Sequence, residues 1–317
     1  MLEVIYGASG EEFLAKIAVE LERALARRAV NGAQGRPTAR VLAHGSGWTV
    51  ADVVCTSGPH DRPFEERHAH VTIAIVAAGS FQYRSAAGRE LMTPGSLLLG
   101  SAGQSFECGH EHVAGDRCLA FGYAPDYFEG LAADAGVRGS TEFRLFRLPP
   151  VRALAPLVAR ACAGLAGSMD VPWEELSVRL AAQTVWLAAG LSPDSRGTPP
   201  GAVARVTRAV RIIERHPDAA LALGSLAQEA GLSPYHFLRT FERATGVTPH
   251  QYIVRTRLRE AAMRLAAEPA RILDVALDCG FGDVSNFNRA FHAEFGINPR
   301  AYRRHTAGTQ RGRRGDT

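Results

Sequence analysis

The sequence predicts an α+β multidomain chain: an N-terminal β-barrel or sandwich with flanking helices, then a C-terminal all-α domain. Three observations carry this. Between about 41 and 123, short β-like runs alternate with Gly, Pro, Ser and Asp turns. After a Pro/Gly/Ser-rich stretch at 191–201, only helical periodicity remains, to about Arg304. Within that helical part, one sequence unit occurs twice at an offset of 50 residues.

Taken in order, residues 1–40 form a helical segment. Its amphipathic stretch, 11–28, places Phe13, Leu14, Ile17, Leu21, Ala24 and Leu25 on one side. Residues 41–148 form the β-domain, with strands expected at 50–55, 71–77, 80–85, 96–99, 105–109 and 117–123. Two helices, at 151–165 and 173–189, fill the segment 149–191; the second follows Pro172 and ends at Gly190. A linker at 192–202 leads to the all-α domain at 203–305, and 306–317 is a Gly/Arg tail expected to be disordered.

Composition narrows the function classes. With 46% hydrophobic and 21% charged residues, the 317-residue chain has enough apolar material for real cores, which excludes wholesale disorder. The longest apolar run, at 71–78, is far too short to span a bilayer, and the N-terminus lacks a secretion signal. Five cysteines, an odd and low count, suit reduced thiols in a cytoplasm. Residues 1–200 hold 18 Lys and Arg against 21 Asp and Glu, whereas 201–317 hold 18 against 11. A basic end on a mildly acidic chain suggests that this end meets a polyanion.

The repeat has a physical reading. Phe237, Arg239, Phe241, Gly246, Pro249 and Tyr252 recur as Phe287, Arg289, Phe291, Gly296, Pro299 and Tyr302. Upstream, Leu226, Ala227 and Gly231 recur as Val275, Ala276 and Gly280 at an offset of 49, so the second copy carries one extra residue in its turn. In the first copy a short helix stops at Gly231, Leu232 fills the corner, Ser233 caps the next helix and Pro234 begins it. In the second, Asp283 or Ser285 is the cap. Phenylalanines one turn apart face inward. Helix, Gly-containing turn and capped helix is the helix-turn-helix layout, whose second helix enters the major groove of DNA.

The outward side of each second helix then offers the base-reading candidates. These are Tyr235, His236, Leu238 and Arg239 in the first copy, with Thr240 beside them, and Val284, Ser285, Asn286, Asn288 and Arg289 in the second, with His292 beside them. Ser233, Arg243, Arg255, Arg257, Arg264, Arg300, Arg303 and Arg304 are phosphate candidates. A helix at 249–267, with Tyr252, Ile253, Leu258, Ala262 and Leu265 inward, fixes the two heads relative to each other on successive major-groove segments of double-stranded DNA.

The motifs Ala227…Gly231-Leu232-Ser233, Phe237…Phe241…Gly246…Pro249…Tyr252, Ala276…Cys279-Gly280-Phe281 and Phe287…Arg289-Ala290-Phe291…Phe295-Gly296…Pro299…Tyr302 resemble the DNA-binding domain of the AraC/XylS family of bacterial transcription regulators. The resemblance covers roughly a third of the chain, from about Val203 to Arg304. It implies a promoter-binding regulator, most often an activator that touches RNA polymerase and answers to an effector.

The β-domain resembles, less specifically, the cupin-like effector domain that precedes this DNA-binding domain in many family members. His68-Ala69-His70 before a strand, Gly79 in a turn and Pro94-Gly95 before Ser96–Leu99 carry the likeness. The carboxylate and third histidine of metal-dependent cupins are missing: Ala74, Ile75 and Val76 hold the first place, and 98–104 has no histidine. A cupin-type metalloenzyme fused to a DNA-binding domain is thus the weaker alternative, and no catalytic dyad, nucleophile motif or phosphate loop supports an enzyme.

A separate cluster, Cys108, His110, His112 and Cys118, with Cys55 and His60 on an earlier strand, combines ligands suited to Zn²⁺ or another transition metal. Either it binds a metal or senses thiol chemistry, so that the effector is a metal, a redox signal or a small molecule, or its cysteines are small core residues with the histidines on a polar rim. Leu154, Leu157, Val158, Leu165, Leu176, Leu180, Val185 and Leu187 form an apolar surface that serves either a homodimer or the chain's own β-domain.

Overall fold

A computed structural model describes residues 13–63, 65–86, 88–111, 114–137, 142–167, 171–190 and 200–311 of the chain. The N-terminal half is built on two antiparallel sheets. The larger orders β1 (Pro37–Gly45), β2 (Trp48–Cys55), β9 (Asp116–Tyr123), β4 (Val71–Gly79), β7 (Leu97–Gly100) and β10 (Arg147–Leu148). The smaller orders β3 (Glu65–Arg67), β8 (Ser105–Gly109), β5 (Phe81–Ser85) and β6 (Gly88–Met92).

Strand parity decides which layer each side chain meets. On β4 and β9, Ile73, Ile75, Leu119, Phe121 and Tyr123 turn to a core shared with helices. Their alternates Ala74, Val76 and Cys118 turn to a second core with Phe81, Tyr83 and Met92 of the smaller sheet. The helices over the larger sheet are α1 (Phe13–Asn31), α3 (Ala155–Leu165) and α4 (Trp173–Ala189). Ile17 and Leu21 of α1 are buried there. The Tyr123 hydroxyl donates to the Ser177 carbonyl of α4 at 2.9 Å.

One charged pair lies under α1. Asp52 and Arg117 are 6% and 4% exposed and meet in a two-pronged bridge, Nε–Oδ1 and Nη2–Oδ2 both 2.9 Å. Burial alone would raise the Asp52 carboxyl; the Arg117 fork, helped by Arg40, outweighs it and holds the group below the usual carboxylate range. Arg117 Nη1 also donates to the Ile17 carbonyl, which ties α1 to the sheet.

Several expectations are adjusted. β1, β3, β6 and β10, and a helix α2 (Pro125–Asp134), lie outside the strands and helices read from the sequence. The apolar side chains at 154, 157, 158, 165, 176, 180 and 185 are buried within the chain against the larger sheet, and Leu187 packs beside them. His68 is an interior packing residue: its ring stacks on Phe106 at 4.1 Å between centroids, and Nε2 meets the Tyr83 hydroxyl at 3.0 Å.

The C-terminal half is helical throughout: α5 (Pro200–Arg215), α6 (Leu223–Glu229), α7 (Pro234–Thr245), α8 (Pro249–Ala267), α9 (Ile272–Asp278), α10 (Val284–Phe295) and α11 (Pro299–Arg311). Of the linker expected at 192–202, residues 200–202 are helical, because Pro200 opens α5. Residues 191–199 and 312–317 lie outside the described residues. The tail assigned to 306–317 is helical as far as Arg311, since a helix once begun at the Asn298 cap propagates. No helix among the described residues is long and apolar enough to cross a membrane.

Burial lowers the His68 pKa to about 4, so the folded protein keeps this ring neutral. An unfolded chain protonates it near 6.5. Stability should therefore fall as pH drops from about 6.5 towards 4, and His68→Gln should flatten that part of the profile. Urea unfolding followed by tryptophan fluorescence checks this, because Trp48, Trp173 and Trp186 all precede the helical C-terminal domain that begins at α5.

Candidate nucleic-acid interface

The two repeats fold into equivalent turns. In the first, Gly231 N–H donates to Gln228 at 2.9 Å and Leu232 N–H to Ala227 at 2.9 Å. In the second, Gly280 N–H donates to Leu277 at 2.9 Å and Phe281 N–H to Ala276 at 3.0 Å. The next helix then starts on a side-chain cap. Ser233 accepts from His236 N–H, and Asp283 accepts from Asn286 N–H at 2.7 Å. Asp283, not Ser285, is the second cap, which makes Gly282 the extra residue of that turn. Both helices end on glycines in the left-handed region, Gly246 at φ 79° and Gly296 at φ 75°, a conformation a side chain would strain.

The same aromatic lock holds each second helix. Phe237 and Phe241 lie 5.5 Å apart at 56°, Phe287 and Phe291 5.5 Å apart at 57°. Tyr252 meets Phe241 edge-on at 81°, and Tyr302 meets Phe291 at the same angle. All four phenylalanines are fully buried. With these rings turned inward, the opposite side of each helix turns outward.

Tyr235, His236 and Arg239 are exposed, and Leu238 and Thr240 half-buried. On α10, Ser285, Asn286, Asn288, Arg289 and His292 are exposed and Val284 is half-buried. Arg239 and Arg289 therefore hold matching outward places. Arg239 Nη1 rests on the Tyr235 hydroxyl at 3.1 Å, four residues back on the same face.

The phosphate candidates divide. Arg243, Arg300 and Arg304 are exposed, as is Ser233; Arg303 is half-buried. Three others are internal struts in place of the phosphate contacts expected of them. Arg257 donates to the carbonyls of Pro217, Ala219 and Gly280. Arg264 pairs with Asp278 at 2.8 Å and with Glu268. Arg255 donates to the Pro150 carbonyl and pairs with Glu294 at 3.3 Å.

In the β-domain, the metal candidates are partly brought together. Cys55, His110 and Asp116 cluster, with their candidate ligand atoms within 4.8 Å of one another. Cys118 donates to Asp116, and Cys108 is on β8 of the smaller sheet, two residues before His110. His60 is exposed and outside the cluster, and His112 lies outside the described residues. Asp116 is not among the candidates read from the sequence. Burial would lower the His110 pKa, but Asp116 and Cys55 beside it lift it to about 9.

The geometry of the C-terminal half is that of a tandem helix-turn-helix protein. A helix-turn-helix domain family matches residues 226–305. Over 92 residues the chain is 38% identical to the Transposon Tn10 TetD protein of Escherichia coli, covering 29% of this chain and 67% of that protein. It is likewise 38% identical over 92 residues to the transcriptional regulator Rob of Salmonella typhimurium, of whose length the match spans 32%. A solved AraC-type transcriptional regulator from Chromobacterium violaceum is 28% identical, with 34% of this chain and 97% of that one covered and a TM-score of 0.32. The chain belongs to the AraC/XylS family of transcription regulators.

The split among the arginines is measurable. Arg257→Ala leaves three carbonyls without their charged donor and should lower the unfolding free energy by about 2 kcal/mol. Arg300→Ala, on an exposed position, should change it by no more than about 0.5 kcal/mol. Urea unfolding followed by far-ultraviolet circular dichroism distinguishes the two.

Proposed function

We propose that this chain is a sequence-specific DNA-binding transcription regulator that reads two successive major-groove segments with α7 and α10. The observation that carries the reading is the duplicated lock: two helices held by the same ring geometry, each turning an arginine to solvent in the basic part of the chain. Tyr235, His236, Leu238, Arg239, Val284, Ser285, Asn286, Asn288 and Arg289 are the proposed base-reading set. Arginine suits guanine and asparagine suits adenine. Ser233, Arg243, Arg300, Arg303 and Arg304 flank it as proposed phosphate contacts, which set affinity and register. The two heads would lie about 34 Å, one helical turn, apart on the duplex.

The N-terminal half is the proposed effector domain, of cupin-like descent, and membership of the family supports a proposed activator that touches RNA polymerase. A homodimer would have to use surface other than the leucines at 154–180, which are buried within the chain.

Selection of bound genomic fragments followed by sequencing should return one motif; recovery of none would sink the reading. On that motif, Arg289→Ala should cost about 1–3 kcal/mol at one or two base pairs and leave discrimination elsewhere intact. Equal weakening on all sequences would reassign Arg289 to a phosphate.

A further inference from the structure

We propose that Cys55, His110 and Asp116, completed by Cys118, form a binding site for one zinc-class divalent ion between the two sheets. Three chain segments converge to build it. Cys55 ends β2 and Asp116 begins β9, and the two residues are direct cross-strand partners. Strand parity puts Cys118 on the same face as Asp116, towards the smaller sheet. His110 follows β8 of that smaller sheet, so it reaches the site from the opposite layer.

The candidate ligand atoms lie close enough together for side-chain shifts to seat one small ion. The candidate ligand atoms of Cys55, His110 and Asp116 all lie within 4.8 Å of one another. His110 Nε2 is 2.6 Å from Asp116 Oδ1, and Cys118 Sγ is 3.3 Å from Asp116 Oδ2. Zinc bonds of about 2.0–2.3 Å in a tetrahedron separate neighbouring donors by about 3.3–3.8 Å. Small shifts of side chains would accommodate an ion. Two thiols, one imidazole and one carboxylate also make a chemically suitable closed set of four.

Burial supplies a second reason. Cys55, His110 and Asp116 are each about 5% exposed, and Cys118 6%. Such a polar group of side chains in a dry interior is costly unless its members are satisfied. Yet His110 Nδ1 is buried without a hydrogen-bond partner. Its other nitrogen, Nε2, meets Asp116, so the ring has one nitrogen to give to an ion. Binding would release the thiol protons and any imidazolium proton to solvent.

A disulfide accounts less well for the same residues. Cys55 faces Asp116, so Cys118 is its diagonal neighbour. Such neighbours lie about 7–8 Å apart, beyond ordinary disulfide reach, though two thiolates can share an ion across it. The corner is also closely packed: a Cβ on Gly79, which pairs with Asp116, would come within 2.3 Å of the Gly115 carbonyl. His110 also lines a narrow cleft with Ser80, Gly109 and, from α5, Val203 and Thr207.

The test is a cobalt(II) titration of the full, reduced chain under anaerobic conditions. One equivalent should give thiolate-to-cobalt charge-transfer absorption and tetrahedral d–d bands, both abolished by zinc. Cys55→Ser and Asp116→Asn should each weaken binding at least tenfold, whereas Cys162→Ser and Cys279→Ser should leave it unchanged. Circular dichroism establishes which variants are folded. Absence of the thiolate band in the wild-type chain overturns the proposal. So does a band that survives unaltered in folded Cys55→Ser and Asp116→Asn, or that is lost in a folded control. If neither site variant folds, His110→Gln and Cys118→Ser take their place under the same criteria.

Discussion

A single helix, α8, is buried on almost every side, and both helix-turn-helix units are assembled on it. Its first turns give Tyr252 and Ile253 to the core of the first unit. Further along, Leu258, Ala261, Ala262 and Leu265 enter the core of the second. A Thr248–Gln251 capping box fixes where it begins. Full burial would be prohibitive for its charged residues if they lacked partners. Arg259 answers Glu214 of α5 at 3.0 Å, and Arg264 answers Asp278 of α9. α8 therefore holds the two units to each other through apolar and ionic contacts together.

The same helix meets the β-domain. The Tyr252 hydroxyl donates to the Pro94 carbonyl, in the turn before β7, at 3.1 Å. Arg147 of β10 reaches the carbonyl of Thr245 at the end of α7. Glu294, on α10, accepts from Arg152 and forms an ion pair with Arg255. These contacts involve the ends of both outward-facing helices, so the two halves are joined by packed and hydrogen-bonded surface. A displacement of the turn at Pro94 or of the segment near Arg152 would be felt at α8 and α10 directly.

The repeat was legible because its residues do the same work twice: a phenylalanine pair, a glycine stop and a tyrosine at one offset determine a fold with little help from elsewhere. Other features depend on what lies opposite. Arg257 and Arg300 look alike in sequence, yet one is surrounded by the carbonyls of 217, 219 and 280 and the other by solvent. The leucines of α3 and α4 announce an apolar face without saying which surface covers it. His68 beside His70 carries the likeness to cupins, but nothing in the sequence shows that Phe106 and Tyr83 enclose it. Short strands such as β3 and β10 have too few residues to show a period. Asp116 became noticeable only when pairing with Cys55 set it opposite His110.

The unlike faces of α7 and α10 have one more consequence. Tyr235, His236 and Arg239 precede Asn286, Asn288 and Arg289 in an order fixed by the chain and held by α8. On the proposed reading, a duplex recognised this way has a head and a tail. The protein would settle on it with one polarity, and the β-domain would come to rest on the same flank of every site.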